Sequence, residues 1–141
     1  MPLDIGIGDG TSLAPLRDQP SFSLDDDGYY WYLHPLLEEL AASTGQYIDL
    51  YGDASFSGQQ LGAVKKMLAK AKRLVASQPA CWEVCIGQQL IPRQKNSRSR
   101  PRLKPVMATV EKAHFLDLLS RWNAVIARAK ELGHPLVCFG D

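Results

Sequence analysis

The amino-acid sequence predicts an α/β fold that borders on α+β, with a mixed sheet of four to six strands and three main helices. The length of 141 residues suits a single domain over residues 1–141, large enough to bury about two thirds of its unfolded surface. The composition is that of a folded protein, with 45% hydrophobic and 22% charged residues. Predicted strands and helices are joined by short connections, which favours helices packed on a mixed sheet.

The N-terminal part is predicted to be a strand followed by an irregular connection. Residues 3–7 alternate weakly between apolar and other residues, and a Gly-Asp-Gly turn ends the pattern. Residues 11–28 contain two prolines and an acidic turn, which indicates an irregular surface segment. Residues 29–33 fit either the second arm of a hairpin or the opening turns of a helix that an aspartate caps.

A helix, a strand and the start of a second helix are predicted next. Pro35 fits the first position of a helix, acidic residues follow it at the positive end of the helix dipole, and Gly45 ends the helix. Residues 46–51 alternate cleanly and predict a strand. After a short loop, Ser57 and Gln60 have the spacing of a capping box.

The C-terminal half is predicted to contain two helices and three strands. The first helix carries an apolar stripe and runs to about residue 77. Two short apolar segments, at residues 82–87 and 105–110, flank a basic loop and so predict a hairpin. A helix over residues 114–132 and an all-apolar strand over 135–139 follow, and this last strand should lie inside the sheet.

Acidic residues are concentrated in the N-terminal part of the sequence and basic residues in the C-terminal part. Residues 1–60 contain one basic and ten acidic residues, whereas residues 61–141 contain fifteen basic and five acidic ones. If the two halves stay apart in the fold, one surface suits basic partners and another suits anions. No catalytic motif accompanies this asymmetry, so it favours a binding function.

Residues 25–32 are the first candidate binding segment, because they combine three aspartates with the densest aromatic run. Tyrosine and tryptophan dominate protein-binding hot spots. Four successive aromatic residues cannot all point inward, so some should be exposed. The predicted partner-binding residues are Asp25, Asp26, Asp27, Tyr29, Tyr30 and Trp31.

The second candidate is a basic hairpin loop, predicted to be flexible over residues 92–104. Residues 93–104 hold six bases and no acid. These bases suit either an acidic protein or the phosphate backbone of a nucleic acid. The predicted anion-binding residues are Arg93, Lys95, Arg98, Arg100, Arg102 and Lys104.

The sequence does not indicate a catalytic, metal or cofactor site. Asp53 and Ser55 lie between a predicted strand and a predicted helix, where α/β enzymes place their sites, but capping and turn formation account for both. The three aspartates lack the spacing of a calcium loop, and the three histidines lie far apart beside predicted helix ends. We therefore predict a non-enzymatic protein without a catalytic residue, metal or cofactor.

The cysteines and the hydropathy indicate a cytoplasmic protein without a membrane segment. Cys81, Cys85 and Cys138 lie in apolar segments, which predicts reduced thiols in the core. No apolar stretch approaches the ~20 residues that a membrane helix needs. The N-terminal residues lack the basic and apolar regions of a signal peptide.

Three segments carry a resemblance to known proteins: GYYWYLHPLLEELAASTGQYIDLYGDASFSG, then QPACWEVCIG, then the terminal LVCFGD. The pattern resembles small bacterial proteins without an assigned activity, and its size and layout are similar to those of immunity proteins that neutralise secreted bacterial toxins. The resemblance implies a cytoplasmic, non-catalytic protein that blocks a toxin domain by surface complementarity, with opposite charges on the two partners. We therefore expect a protein-binding module of the immunity or antitoxin kind. The alternative is a nucleic-acid-associated protein that uses the basic loop and the second helix.

Overall fold

Six strands and three helices occur in the part of the chain that the computed structural model describes, residues 2–92 and 101–140. This confirms the predicted α/β class with three helices. In chain order the elements are β1 (Leu3–Ile7), β2 (Phe22–Leu24), α1 (Gly28–Thr44), β3 (Asp53–Phe56), α2 (Gln59–Ala76), β4 (Cys81–Ile91), β5 (Arg102–Glu111), α3 (Lys112–Leu132) and β6 (Leu136–Phe139).

The strands form two antiparallel sheets instead of the single mixed sheet that we expected. One sheet has the order β2-β1-β6-β3, and β4 and β5 form a separate hairpin. All pairs are antiparallel, and none of the three helices joins two strands that are neighbours in a sheet, as a parallel crossover unit would require. The apolar strand β6 lies between β1 and β3, as predicted from its sequence.

The main core lies between one face of the four-stranded sheet and the helices. Alternate residues of β1, namely Leu3, Ile5 and Ile7, are buried in this core together with side chains of α1, α2 and α3. On the opposite face, the irregular segment after β1 covers the centre of the sheet, where Pro15 lies directly against Gly6. Val137 of β6 is fully buried on this face, whereas Ser23 of β2 and Asp53 of β3 are exposed, so only the inner strands need apolar residues on both faces.

Helix α1 begins at Gly28, about two turns before Pro35. Residues 29–33 are therefore helical and Asp27 caps the helix, which confirms the second of the two alternatives for this segment. Pro35 consequently lies inside the helix and not at its first position. The predicted end is confirmed, since Gly45 has a φ of 76°, a left-handed conformation that glycine adopts without strain.

The predicted strand over residues 46–51 is absent, and β3 at Asp53–Phe56 takes the free edge of β6 instead. Ile48 and Leu50 are nevertheless buried, while Tyr47 and Tyr51 are exposed. The alternation of residues 46–51 therefore indicates that every second residue of this loop is buried. It does not indicate strand pairing, because both edges of β6 pair with other strands.

Helix α2 confirms the predicted helix, but only half of the capping box forms. The N-cap is Gly58, one residue after the predicted Ser57. The backbone N–H of Ser57 donates to Oε1 of Gln60 at 3.3 Å, as a capping box requires, whereas no side chain caps the helix.

The β4–β5 hairpin confirms the predicted hairpin and extends it. Arg102 and Lys104, which we predicted to lie in the flexible basic loop over 92–104, belong to β5 instead, where Leu103 pairs with Leu90. The predicted flexibility of residues 93–100 falls outside the described residues. The prediction of three core cysteines was also wrong. Cys138 is buried, which raises the pKa of its thiol, whereas Cys81 and Cys85 are exposed.

Candidate functional site: an acidic and aromatic strip on the first helix

Asp27 serves helix α1 as its N-cap. Its Oδ1 accepts the backbone N–H groups of Tyr29 at 3.0 Å and of Tyr30 at 3.4 Å. Burial raises the pKa of this half-buried carboxyl, and the two hydrogen bonds oppose the shift. Asp27 thus has a structural role at the start of α1.

We expect Asp27→Ala to lower the free energy of unfolding by about 1 kcal/mol, because the cap is lost.

The substitution Asp27→Asn tests the charge of this side chain, because asparagine keeps an acceptor oxygen but has no charge. Because the pKa of Asp27 is raised in the folded state, the folded protein binds the proton more tightly than the unfolded chain. The wild type should therefore gain stability relative to Asp27→Asn as the pH falls through the folded-state pKa. Denaturant titrations of both proteins across this pH range check the sign, and a wild-type loss would contradict it.

All four aromatic residues after Asp27 pack fully or partly against the core. Tyr30 is only 2% exposed and its hydroxyl donates to the carbonyl oxygen of Ile48 at 3.0 Å. The Tyr29 hydroxyl accepts the N–H of Glu111, which ties α1 to the hairpin. Tyr32 is half-buried with its ring edge-on to Trp82. We therefore take Tyr30 out of the predicted contact surface.

Trp31 is half-buried against the core, and Asp26 holds the edge of its indole. The indole N–H donates to Oδ1 of Asp26 at 2.6 Å, and the ring lies edge-on to the buried Tyr30 at a centroid distance of 5.2 Å. Asp26 and its neighbour Asp25 are both exposed. The indole is therefore fixed in one orientation with a carboxylate beside it.

His34 extends this arrangement along α1. Its ring centroid lies 5.1 Å from that of Trp31, its Nε2 is 2.6 Å from the Tyr47 hydroxyl, and its Nδ1 is 3.5 Å from Oε1 of Glu38. In a neutral ring with the proton on Nδ1, Nε2 is free to accept the Tyr47 O–H. We name Asp26, Trp31, His34, Glu38 and Tyr47 the acidic–aromatic strip.

One acidic residue of α1 is paired with a basic residue of α2, whereas two acidic residues of the strip are not paired with lysine or arginine. Glu39 forms an ion pair with Lys70 of α2 at 3.0 Å, so one acid of α1 is neutralised by the basic helix. Asp26 and Glu38 instead contact Trp31 and His34. The strip thus keeps two exposed carboxylates beside its aromatic rings.

The structure describes two of the six predicted anion-binding residues. Arg102 and Lys104 are exposed on β5. The other four predicted residues lie outside the described part of the chain: Arg93, Lys95, Arg98 and Arg100.

The alternative catalytic residues, Asp53 and Ser55, do not line the main surface cavities of the described residues. Asp53 is exposed at the start of the edge strand β3, and the backbone N–H of Ser55 donates to Gln46. Two surface cavities, of about 540 and 430 Å³, lie between α1 and α2 and between α2 and the end of α3, and other residues line them. Within residues 2–92 and 101–140, no group of three or more His, Cys, Asp or Glu side chains is arranged to hold a metal ion.

No protein-family model, curated protein or solved structure matches this chain. In the described residues, no helix is both long enough and apolar enough to cross a membrane. The strip must therefore be interpreted from its own geometry.

Sequence reasoning placed Asp26 and Trp31 in the candidate segment but did not include His34, Glu38 and Tyr47. The helical spacing of Trp31, His34 and Glu38 is a usable signal once residues 29–33 are known to be helical. Tyr47 has no such signal, because it comes from the loop after α1 and only the fold brings it to His34.

Proposed function

We propose that this protein is a non-catalytic protein-binding module that uses the acidic–aromatic strip to bind a basic surface of another protein. The observation that carries the proposal is the orientation of the half-buried Trp31 indole by the exposed Asp26 and by His34. Fixing aromatic side chains before binding lowers the entropic cost of association. Tryptophan and tyrosine are also the residues that contribute most at binding hot spots.

Charge favours a basic partner. Asp26 and Glu38 flank the aromatic rings, so a lysine- or arginine-rich surface would be attracted during encounter and would pair with the strip after docking. A function of the immunity or antitoxin kind, in which the chain covers a toxin domain, is consistent with this chemistry and needs no catalytic residue.

The test compares two half-buried aromatic residues of α1. Trp31→Ala should abolish capture of a positively charged protein from nuclease-treated host lysate, and it should also lower the melting temperature, because the indole packs partly against the core. Tyr32→Ala is the matched control, since Tyr32 is also half-buried against the core but is not part of the strip, so it should lose stability without losing capture. Capture by the wild type should weaken as salt is raised.

Two results would overturn the proposal. One is capture of the same protein by Trp31→Ala at the wild-type level. The other is a lysate in which every captured species disappears on nuclease treatment, which would favour the nucleic-acid function instead and direct attention to Arg102 and Lys104.

A further inference from the structure

A cleft lies between the first turns of α2 and the last turns of α3. Its volume is about 430 Å³, which is within the size range of small-molecule sites. Its floor is formed by the buried apolar side chains of Leu61, Ile126 and Ala129. We name it the α2–α3 cleft. No residue of the acidic–aromatic strip lines it, so it is separate from the proposed partner-binding surface.

The α2–α3 cleft combines its apolar floor with positive charge. Lys65 lines it from α2 and Lys130 lines it from α3, and the half-buried His134 lies just after α3. Among the residues that the structure describes, no acidic side chain lines the cleft and neither lysine forms an ion pair. Like charges along one cleft repel each other, and an anion bound between them would relieve this repulsion.

A second hollow indicates where such an anion would lie. It has a volume of about 350 Å³, continues along the same two helices, and shares Lys65 and Lys130 with the α2–α3 cleft. The two lysines therefore lie where the hollows join, and the apolar floor of the cleft extends to one side of them. Glu131, the acidic residue that lines the second hollow, is held by Arg128 at 3.0 Å.

Gly62 is the second observation that favours a ligand in this cleft. Glycine inside a helix is destabilising relative to alanine, and Gly62 lies inside α2 without a positive φ that would require glycine. A Cβ atom at this position would meet no atom within 4 Å, so packing among the described residues does not require glycine either. Gly62 lines the cleft, and without a side chain it lets a ligand approach the backbone of α2 closely.

We propose that the α2–α3 cleft binds a small organic anion with an apolar body, of the class of medium-chain aliphatic carboxylates. The carboxylate lies between Lys65 and Lys130, and the aliphatic chain covers Leu61 and Ala129 beside Gly62. Both parts contribute to affinity, because the anion forms charge-assisted hydrogen bonds and the chain buries apolar surface.

Three probes separate the two parts of this ligand. Octanoate has the anion and the chain, whereas acetate has only the anion and octanol has only the chain. In NMR titrations of the full chain, octanoate should shift the amide signals of residues 58–65 and 126–134 saturably. Acetate and octanol should each bind at least roughly tenfold more weakly, because each lacks one set of contacts. Unchanged signals with octanoate, or equal affinity for the three probes, would overturn the proposal.

Charge variants test the two lysines. Lys65→Gln combined with Lys130→Gln should weaken octanoate binding roughly tenfold and leave octanol binding unchanged. The matched control is Lys72→Gln combined with Arg73→Gln, which removes the same charge from exposed positions of α2 that line none of the cavities described above. The control should bind octanoate like the wild type. An equal loss in both variants would mean that octanoate responds to overall charge, against the proposal.

A larger side chain at position 62 tests the location. Gly62→Leu should prevent octanoate binding, because long side chains on a helix lean toward its N-terminus, here over Gly58, which also lines the cleft. The melting temperature should not fall, since the space is open and leucine is the better helix former. Ala69→Leu, at an exposed position of α2 away from the cleft, should bind octanoate normally. Wild-type binding by Gly62→Leu would show that octanoate does not occupy this cleft.

Discussion

Replacing Tyr30 with alanine should lower the free energy of unfolding by about 3–5 kcal/mol, the usual cost of removing a buried aromatic ring. The ring is 2% exposed, and the hydroxyl group satisfies the buried carbonyl of Ile48. Burial also raises the pKa of Tyr30, so the hydroxyl remains a neutral donor throughout the physiological pH range. Alanine would leave a cavity and an unpaired carbonyl oxygen at the same position.

Tyr30→Phe separates these two contributions. It keeps the ring and removes only the hydrogen bond, so the loss should be about 0.5–1.5 kcal/mol. Urea denaturation of the three proteins measures both values. If Tyr30→Ala kept wild-type stability and lost only the binding partner, Tyr30 would be a contact residue, as its position within residues 25–32 first predicts.

Gly28→Ala should destabilise the protein by about 1–3 kcal/mol, the usual cost of adding a methyl group to a closely packed site. A Cβ atom at Gly28 would lie 2.5 Å from Cγ1 of Val110. It would also lie 3.5 Å from Cβ and from the carbonyl oxygen of Ala108. The start of α1 and the hairpin would have to move apart, although alanine is the better helix former.

A double-mutant cycle identifies the cause of this loss. Val110→Ala removes the methyl group that the new Cβ would meet, so Gly28→Ala should cost less in the Val110→Ala background than in the wild type. Thermal or urea unfolding of the four proteins gives the coupling free energy. An equal cost in both backgrounds would show that the contact between α1 and the hairpin is not responsible.

The acidic–aromatic strip is a small set of rings and carboxylates on α1 and the residues that flank it, which suits recognition of a basic partner.

Several features of this protein could be predicted from local sequence alone. The end of α1 at Gly45, the end of α3 at Gly133 and the hairpin around the basic loop all follow from signals a few residues long. A glycine that adopts the left-handed conformation favours the end of a helix through local backbone geometry. Two apolar segments joined by a short polar loop favour a hairpin, because they are close in sequence. The interior position of β6 also follows from its sequence, because only a strand covered on both faces is apolar throughout.

Other features depended on the tertiary structure, because local patterns report which residues are buried without identifying their partners. Residues 46–51 have the alternation of a strand, yet Asp53–Phe56 occupies the edge of β6. Cys85 lies in an apolar segment, yet the register of the hairpin turns it to solvent. The strip depends most on the fold, because its contact between His34 and Tyr47 joins a helix to the loop that follows it. Asp26 and Trp31 were therefore apparent as candidates from the sequence, whereas the addition of His34, Glu38 and Tyr47 to one surface was decided by packing between elements.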